Sequence, residues 1–293
     1  MPPALSNEER DAARRLVDLA LAEDLGNVGD LTSQALIPEQ MQGAVKIVAR
    51  ADGILAGVPV GQMVFERLDP AIKWDGFHAD GARLTRGAVV ATVAGPLRSL
   101  LAGERTVLNF LMHLSGVASL TRKFVDAVAG TKAVILDTRK TLPGWRRLEK
   151  YAVRAGGGTN HRLGLADGCL IKDNHLAAWR ASDGHRSIAA AVAAARSAVP
   201  ASIVVEVEVD TIEQLTDALA GDPDIVLLDN MDAATLRQCA VLRDKIAPNV
   251  LLEASGGVTL ATVAAIAATG VDRISVGAIT HSAPALDLAF DWL

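Results

Sequence analysis

Six apolar, β-branched runs decide the fold: AVILDTRK (133–140), GCLIKD (168–173), IVVEVEV (203–209), DIVLLDN (224–230), NVLLEASGG (249–257) and RISVGA (273–278). Alanine-rich stretches of helical pattern lie between several of them, among them HRSIAAAVAAARSAV (185–199) and TLATVAAIAATG (259–270). Strand and helix in alternation predict an α/β fold with a parallel sheet and right-handed crossovers. Several of the runs end in charged or glycine residues, on the side where β/α barrels and doubly wound sheets carry their active sites.

Upstream the rhythm differs. Ser6 to Glu9 reads as a capping box that opens an amphipathic helix, with Leu16, Val17, Leu19 and Ala20 on its buried side. AVKIVARADGILAGV (44–58) and VVATVAG (89–95), punctuated by Gly and Asp, predict short antiparallel strands. ERTVLNFLMHLSGVASLTRKFVDAV (104–128) is a long helical pattern with Val107, Leu108, Leu111 and Leu114 in register.

The chain has 293 residues, 50% of them hydrophobic and 22% charged, enough apolar surface to offset chain entropy over two domains or one large one. A net charge of −5 and 3% aromatics argue against a nucleic-acid partner. Two cysteines, Cys169 and Cys239, form neither a disulfide framework nor a metal set. No signal-like apolar stretch opens the sequence, and VTLATVAAIAATGV (258–271) is too short to span a bilayer. A soluble protein of the cytoplasm, without membrane partners, is expected.

The chemistry concentrates between Asp137 and His175, where eight Lys and Arg face four Asp and Glu, a local +4 in an acidic chain. Arg146, Arg147, Lys150 and Arg154 at helical spacing read as a solvated helix face. Arg139, Lys140 and Lys172 instead terminate apolar strands, where converging cations imply a ligand rich in carboxylates or phosphates. In VVEVEVD, strand period two puts Glu206, Glu208 and Asp210 on one face and Val205, Val207 and Val209 on the other. Glu208 is nearer the C-terminal mouth and is the catalytic candidate; Glu206 is expected as a buried partner of a lysine. Asp229 ends the next strand, and two carboxylates at adjacent strand ends suit Mg²⁺, ribose hydroxyls or a developing positive charge. Ser255-Gly256-Gly257 and Gly277, just past strand ends, allow backbone N–H groups to close on a phosphate, helped by a following helix N-terminus.

The strings EDLGNVGDLTS (23–33), GERTVLNFLMHLSGVAS (103–119), DTRKTLPGWRRLEKYAVRAGGGTNHRLGLADGCLIKDNH (137–175), VEVEVD, LLDN, EASGG and ISVGAIT (274–280) closely resemble the quinolinate phosphoribosyltransferase family, in family order. Trp145 departs from it, since the family often has a smaller or aliphatic residue there. The resemblance implies an N-terminal α/β sandwich over residues 1–115 and an incomplete β/α barrel over 116–280, with the tail 281–293 packing on the first domain. It implies a homodimer with shared active sites, or a hexamer. The reaction implied joins quinolinate to 5-phosphoribosyl-1-diphosphate with Mg²⁺ and no organic cofactor, releasing diphosphate and CO₂. By the same resemblance Arg105, Thr138, Arg139, His161, Arg162 and Lys172 surround quinolinate. Lys140 meets the diphosphate, Glu208 and Asp229 the ribose and metal, and Ser255, Gly256, Gly257 and Gly277 the 5′-phosphate. A nucleophilic side chain is not required, so Ser255 and both cysteines are read as non-nucleophilic. Two other readings stay open: a paralogous transferase for another aromatic acid, and a non-catalytic anion-binding barrel.

Overall fold

The computed structural model describes residues 4–181 and 187–293; His185 and Arg186 of the expected alanine-rich helix lie outside them. In chain order the elements begin with α1 (Asn7–Leu25), α2 (Leu31–Leu36), β1 (Gln42–Ala49), β2 (Gly53–Ile54), α3 (Val58–Leu68), β3 (Lys73–Gly76), β4 (Arg83–Leu84), β5 (Val89–Pro96) and α4 (Leu97–Ala127). There follow β6 (Val134–Leu136), α5 (Arg146–Ala155), β7 (Cys169–Ile171), α6 (Asp173–Ala181), α7 (Ile188–Ala198), β8 (Val205–Val209), α8 (Ile212–Leu219) and β9 (Ile225–Asp229). The chain ends with α9 (Ala233–Ile246), β10 (Leu251–Ser255), α10 (Val263–Ala267), β11 (Arg273–Ser275), α11 (Ala278–His281) and β12 (Leu288–Trp292). It divides into two compact units, one of Met1–Arg122, Lys140–Gly158 and Ile279–Leu293, the other of Lys123–Arg139 and Thr159–Ala278. The residue-115 boundary expected from the sequence falls inside α4, whose helical pattern runs on to Ala127. No described helix is long and apolar enough to cross a membrane.

The first unit is built on an antiparallel sheet of order β12-β1-β5-β3. The tail supplies β12, which pairs with β1 from Val45 opposite Trp292 to Ala49 opposite Leu288. Gly116 on α4 lets the tail come this close, because a Cβ there would stand 2.2 Å from the Pro284 carbonyl oxygen. The capping box at α1 is complete: the Ser6 hydroxyl accepts from Glu9 N–H, and the Glu9 carboxylate accepts from Ser6 N–H. The buried face of α1 is Ala13, Val17 and Leu21, at steps of four; Leu16 is only half-buried and Leu19 is exposed, so that face sits a quarter-turn from the one expected. The expected solvated face of α5 is also corrected. Lys150 is 2% exposed, and Arg154 donates two hydrogen bonds to Glu9 on α1, at 2.8 and 2.9 Å.

The second unit holds all six runs as strands of one parallel sheet, in the order β6-β11-β10-β9-β8-β7. The order is circular with a gap, since β6 joins β11 and the ring stays open between β6 and β7: an incomplete barrel. Val205, Val207 and Val209 are buried against the helix layer, as their alternation requires.

One ion cluster closes the base of this sheet. Asp272 accepts from the buried Arg243 at 2.7 Å and from Leu252 N–H at 2.9 Å, and pairs with Lys132 at 2.7 Å. Burial pushes the Asp272 carboxyl up, but these three donors outweigh it and hold it below the usual value of 3.8. Asp272→Ala leaves Arg243 buried without that carboxylate and is expected to cost about 3 kcal/mol in urea unfolding. Because the native pKa is depressed, the contribution is full above about pH 4 and is lost as pH falls through the native value. The stability gap between wild type and variant should therefore narrow in acid; a gap independent of pH would contradict the assignment.

Candidate active site

Strand register places the chemistry of the second unit on one face. Leu170 lies opposite Glu206, Glu208 opposite Leu227, Leu227 opposite Glu253, Asp229 opposite Ser255, and Glu253 opposite Arg273. Side chains two apart share a face, so Lys172, Glu206, Glu208, Asp229, Glu253, Ser255 and Arg273 all stand on the face that the three valines leave. At its C-terminal end Lys172 forms an ion pair with Glu208. Asp229, half-buried on the next strand, has its carboxyl pushed up by burial and by the charge of Glu208, and accepts from the Asn230 amide at 2.6 Å. Two carboxylates that crowd one another, with oxygen donors only, fit a hard cation such as Mg²⁺.

Above β6 the chain runs through half-buried Thr138 to exposed Arg139. Arg162 has its pKa lowered, first by burial and then by the charge of Arg139, so two guanidiniums are held close together. Arg162 also donates to the Gly168 carbonyl at 2.8 Å, which fixes its side chain. Like charges kept together in this way favour an anion with more than one negative group.

Deeper on the same face lies a cluster that the sequence did not announce. His161 Nε2 is 3.2 Å from Glu206 and 3.3 Å from Glu253, and Arg273 donates to Glu253 at 2.8 Å. Glu206 thus partners a histidine, not the lysine expected; Lys172 goes to Glu208 instead, because the β7–β8 register brings residues 172 and 208 to one level. Buried Asp137, at the end of β6, accepts from the Asn160 amide at 2.7 Å and from His161 N–H at 2.8 Å. Burial works against charge on the His161 ring, but the two glutamates outweigh it and pull its pKa up to about 9. Burial, with the charge of Glu253, pushes the Glu206 carboxyl up in turn. His161, Glu206 and Glu253 could count as three metal ligands. The ring's hold on its proton opposes this: with Nε2–H facing both carboxylates and the pKa raised, no lone pair there is left for a metal. The signals for this cluster were present as Glu253 within NVLLEASGG and Arg273 within RISVGA, but only the register joins them.

The glycine turn after β10 has the backbone freedom expected of a phosphate loop. Gly256 has φ +93°, and a Cβ on it would stand 2.1 Å from Asn230 Oδ1; Gly257 has φ +58° with open space beside it. Of the helices that follow these glycines, α10 starts only at Val263 and has five residues, and α11, directly after Gly277, has four. Cys239 is buried and its thiol is pushed up to about 11, in keeping with an inert role.

Arg105 and Lys140 belong to the first unit. Arg105 is exposed on α4, more than two turns beyond its first residue Leu97, so it does not sit at a helix start and the macrodipole does not bear on it. The Lys140 carbonyl accepts from the Thr280 hydroxyl at 2.8 Å. Trp145 stacks on Phe110 at 5.0 Å and meets His113 edge-on at 5.1 Å. His113 bonds Glu149 at 2.9 Å, and Glu149 accepts from Leu142 N–H at 3.2 Å, so the 140–145 loop is tied to α4 and α5.

Comparison with known proteins agrees with this layout. Residues 30–115 match the family described as quinolinate phosphoribosyl transferase, N-terminal domain, and residues 117–291 match its C-terminal domain. The nicotinate-nucleotide pyrophosphorylase [carboxylating] of Mycobacterium leprae is 48% identical, over 98% of this chain and 99% of that protein. The probable nicotinate-nucleotide pyrophosphorylase [carboxylating] of Bacillus subtilis is 44% identical, over 95% of this chain and 92% of that protein. Among solved structures, the nicotinate-nucleotide pyrophosphorylase from Francisella tularensis superposes with a TM-score of 0.88 at 39% identity, over 97% of this chain and 96% of that one. Both domains, their order and the sheet that carries the paired carboxylates place this chain in the quinolinate phosphoribosyltransferase family.

Proposed function

We propose that the protein transfers phosphoribosyl from 5-phosphoribosyl-1-diphosphate to quinolinate with decarboxylation, yielding nicotinate mononucleotide, diphosphate and CO₂ in de novo NAD synthesis. The observation that carries this reading is the strand register that sets Lys172, Glu208 and Asp229 at one end of the parallel sheet, in the unit that also holds Arg139 and Arg162. Arg139, Arg162 and Lys172, flanked by Thr138, take the two carboxylates of quinolinate. Ser255, Gly256, Gly257 and Gly277 close on the 5′-phosphate. As diphosphate leaves, positive charge grows on the ribose carbon, and Glu208 and Asp229 stabilise it. These two carboxylates would also hold Mg²⁺, which when bound neutralises the departing diphosphate, with Lys140 adding a cation on that side. The pyridine nitrogen attacks the ribose carbon as diphosphate leaves. When the adjacent carboxylate departs as CO₂, the positive ring nitrogen stabilises the electron pair left on the ring carbon, and that carbon then takes a proton from water. The protein supplies charge and orientation throughout. The two free cysteines and the acidic charge balance suit the cytoplasm. The test is quinolinate, phosphoribosyl diphosphate and Mg²⁺, followed by absorbance and labelled CO₂. Release of CO₂ in step with diphosphate is expected; transfer to another aromatic acid without CO₂, or binding without turnover, defeats the proposal.

The assembly we propose is a homodimer, alone or within a hexamer, in which Arg105 of the partner subunit completes each quinolinate site. A two-fold axis allows the exchange reciprocally. Arg105→Ala and Lys140→Ala chains, each inactive alone, are mixed after dissociation. With random pairing about half the dimers are mixed and each has one intact site, so about a quarter of wild-type activity should return. No recovery, with mixed dimers confirmed by native mass spectrometry, returns Arg105 to its own chain.

A further inference from the structure

We propose that Glu149, with His113 behind it, is a positioning residue for Lys140, the cation that meets the diphosphate. The inference deepens the function proposed above and rests on it for the role of Lys140. Its starting point is a buried charge turned toward an exposed loop. Glu149 on α5 is 0% exposed, yet one of its carboxylate oxygens accepts Leu142 N–H at 3.2 Å. The other lies 2.9 Å from Nε2 of His113 on α4. A carboxylate taken out of water persists only where polar partners compensate it. Here those partners are a half-buried histidine and the backbone of the segment that begins at Lys140.

Leu142-Pro143-Gly144-Trp145 is itself a tight turn. The Leu142 carbonyl accepts Trp145 N–H at 3.1 Å, Pro143 fixes φ at the second position, and Gly144 at the third has φ +82°, the pattern of a type II turn. Its near end is clamped by Glu149. Its far end is clamped by Trp145, the residue at which this chain departs from its family, through the rings of Phe110 and His113. His113 thus serves both clamps, with Nε2 on Glu149 and its ring on Trp145. Only Thr141 stands between the turn and Lys140, and its hydroxyl oxygen accepts from Arg146 at 3.0 Å. The Lys140 carbonyl accepts from the Thr280 hydroxyl at 2.8 Å, and Thr280 is 2% exposed. The backbone from Lys140 to Trp145 is therefore held along its length, while Lys140 itself stays exposed. A loose loop would have to be ordered when diphosphate binds, at an entropic cost; this one is ordered beforehand.

The test is a double-mutant cycle of Glu149→Met with Lys140→Ala, read as the Kd of phosphoribosyl diphosphate with Mg²⁺ and, separately, of quinolinate. Met keeps the length of the side chain and removes both acceptors. Phosphoribosyl diphosphate should weaken about 5- to 20-fold in the wild-type background and less than about twofold once Lys140 is absent. Quinolinate should be unmoved in both. In Glu149→Gln the carbonyl oxygen still accepts Leu142 N–H and the amide can donate to the His113 ring, so binding should return to within about threefold of wild type. Thr280→Val covers the case in which Glu149→Met does not fold. It exchanges a hydroxyl for a methyl group and should weaken phosphoribosyl diphosphate about 2- to 5-fold, again only while Lys140 is present. Equal factors with and without Lys140, or parallel loss of both ligands, overturn the proposal, since a contact that serves stability alone acts on both. A Lys140→Ala chain that binds phosphoribosyl diphosphate as the wild type does overturns it as well. Wild type that binds phosphoribosyl diphosphate without making nicotinate mononucleotide defeats the proposed reaction alone, because the cycle reads binding and not turnover.

Discussion

Glu208→Gln is expected to lower kcat by about 10²- to 10³-fold, with a much smaller change in KM for either substrate. Glu208 stands at the end of β8, buried but for 9% of its surface, beside Asp229 and in an ion pair with Lys172. The charge it would meet, on the ribose carbon, is small in the bound substrates and large in the transition state. Only interactions that strengthen on that path raise kcat. Gln keeps the volume and removes the charge, and the side chain of Lys172 is 44% exposed, so water can take up its ammonium without unfolding the strand. Glu206→Gln provides the contrast. Its carbonyl oxygen can still accept from His161, and Glu253 shares that proton, so stability should move more than kcat. The check is steady-state kinetics of both variants at matched folded fraction. A folded Glu206→Gln that loses more activity than Glu208→Gln would show that the reactive edge of this strand lies deeper than its C-terminal mouth.

That contrast was legible in the sequence because period two is a local property. VVEVEVD alone says that Glu206 and Glu208 share a face opposite the valines, and the described sheet agrees. Which glutamate meets which cation was not legible, because it depends on the register of β7 against β8 and on a loop returning from β6. The six strands were likewise readable as apolar runs, whereas the affiliation of residues 140–158 was not. That segment follows a strand of the second unit but clusters with the first, through Arg154 on Glu9 and Trp145 on Phe110. Local pattern also mislaid Arg105. The apolar periodicity of ERTVLNFL conceals that LRSLLAG upstream continues the same helix, since Gly103 lies buried against Phe65 and does not break it. Lys150 is the sharpest case: helical spacing placed it on a solvated face, whereas tertiary packing of α5 leaves it buried.

Nicotinate should be a poor substrate by about 30-fold to several thousandfold in kcat/KM relative to quinolinate. It carries the carboxylate that survives in the product and lacks the one that leaves. Arg139 and Arg162 are near enough that the charge of one lowers the pKa of the other, and Lys172 adds a third cation just after β7. In the free enzyme water and Glu208 compensate part of this charge. Once an aromatic ring fills the site and displaces the water, each cation must find its anion on the ligand. Removing one partner of such a desolvated pair costs about 2–5 kcal/mol, which is the range of rate ratios given above. A hydrophobic pocket could not discriminate in this way, because loss of one polar substituent would there relieve a burden and not create one. The same reasoning fixes where the discrimination should fail. Arg162→Ala removes one of the crowded cations, so quinolinate should lose much more than nicotinate and the ratio should fall by at least about tenfold. Competition kinetics with both acids on wild type and variant decide the matter. Comparable kcat/KM for the two acids on the wild type, or a ratio unchanged by Arg162→Ala, would mean that cation count does not set substrate choice and that ring contacts do.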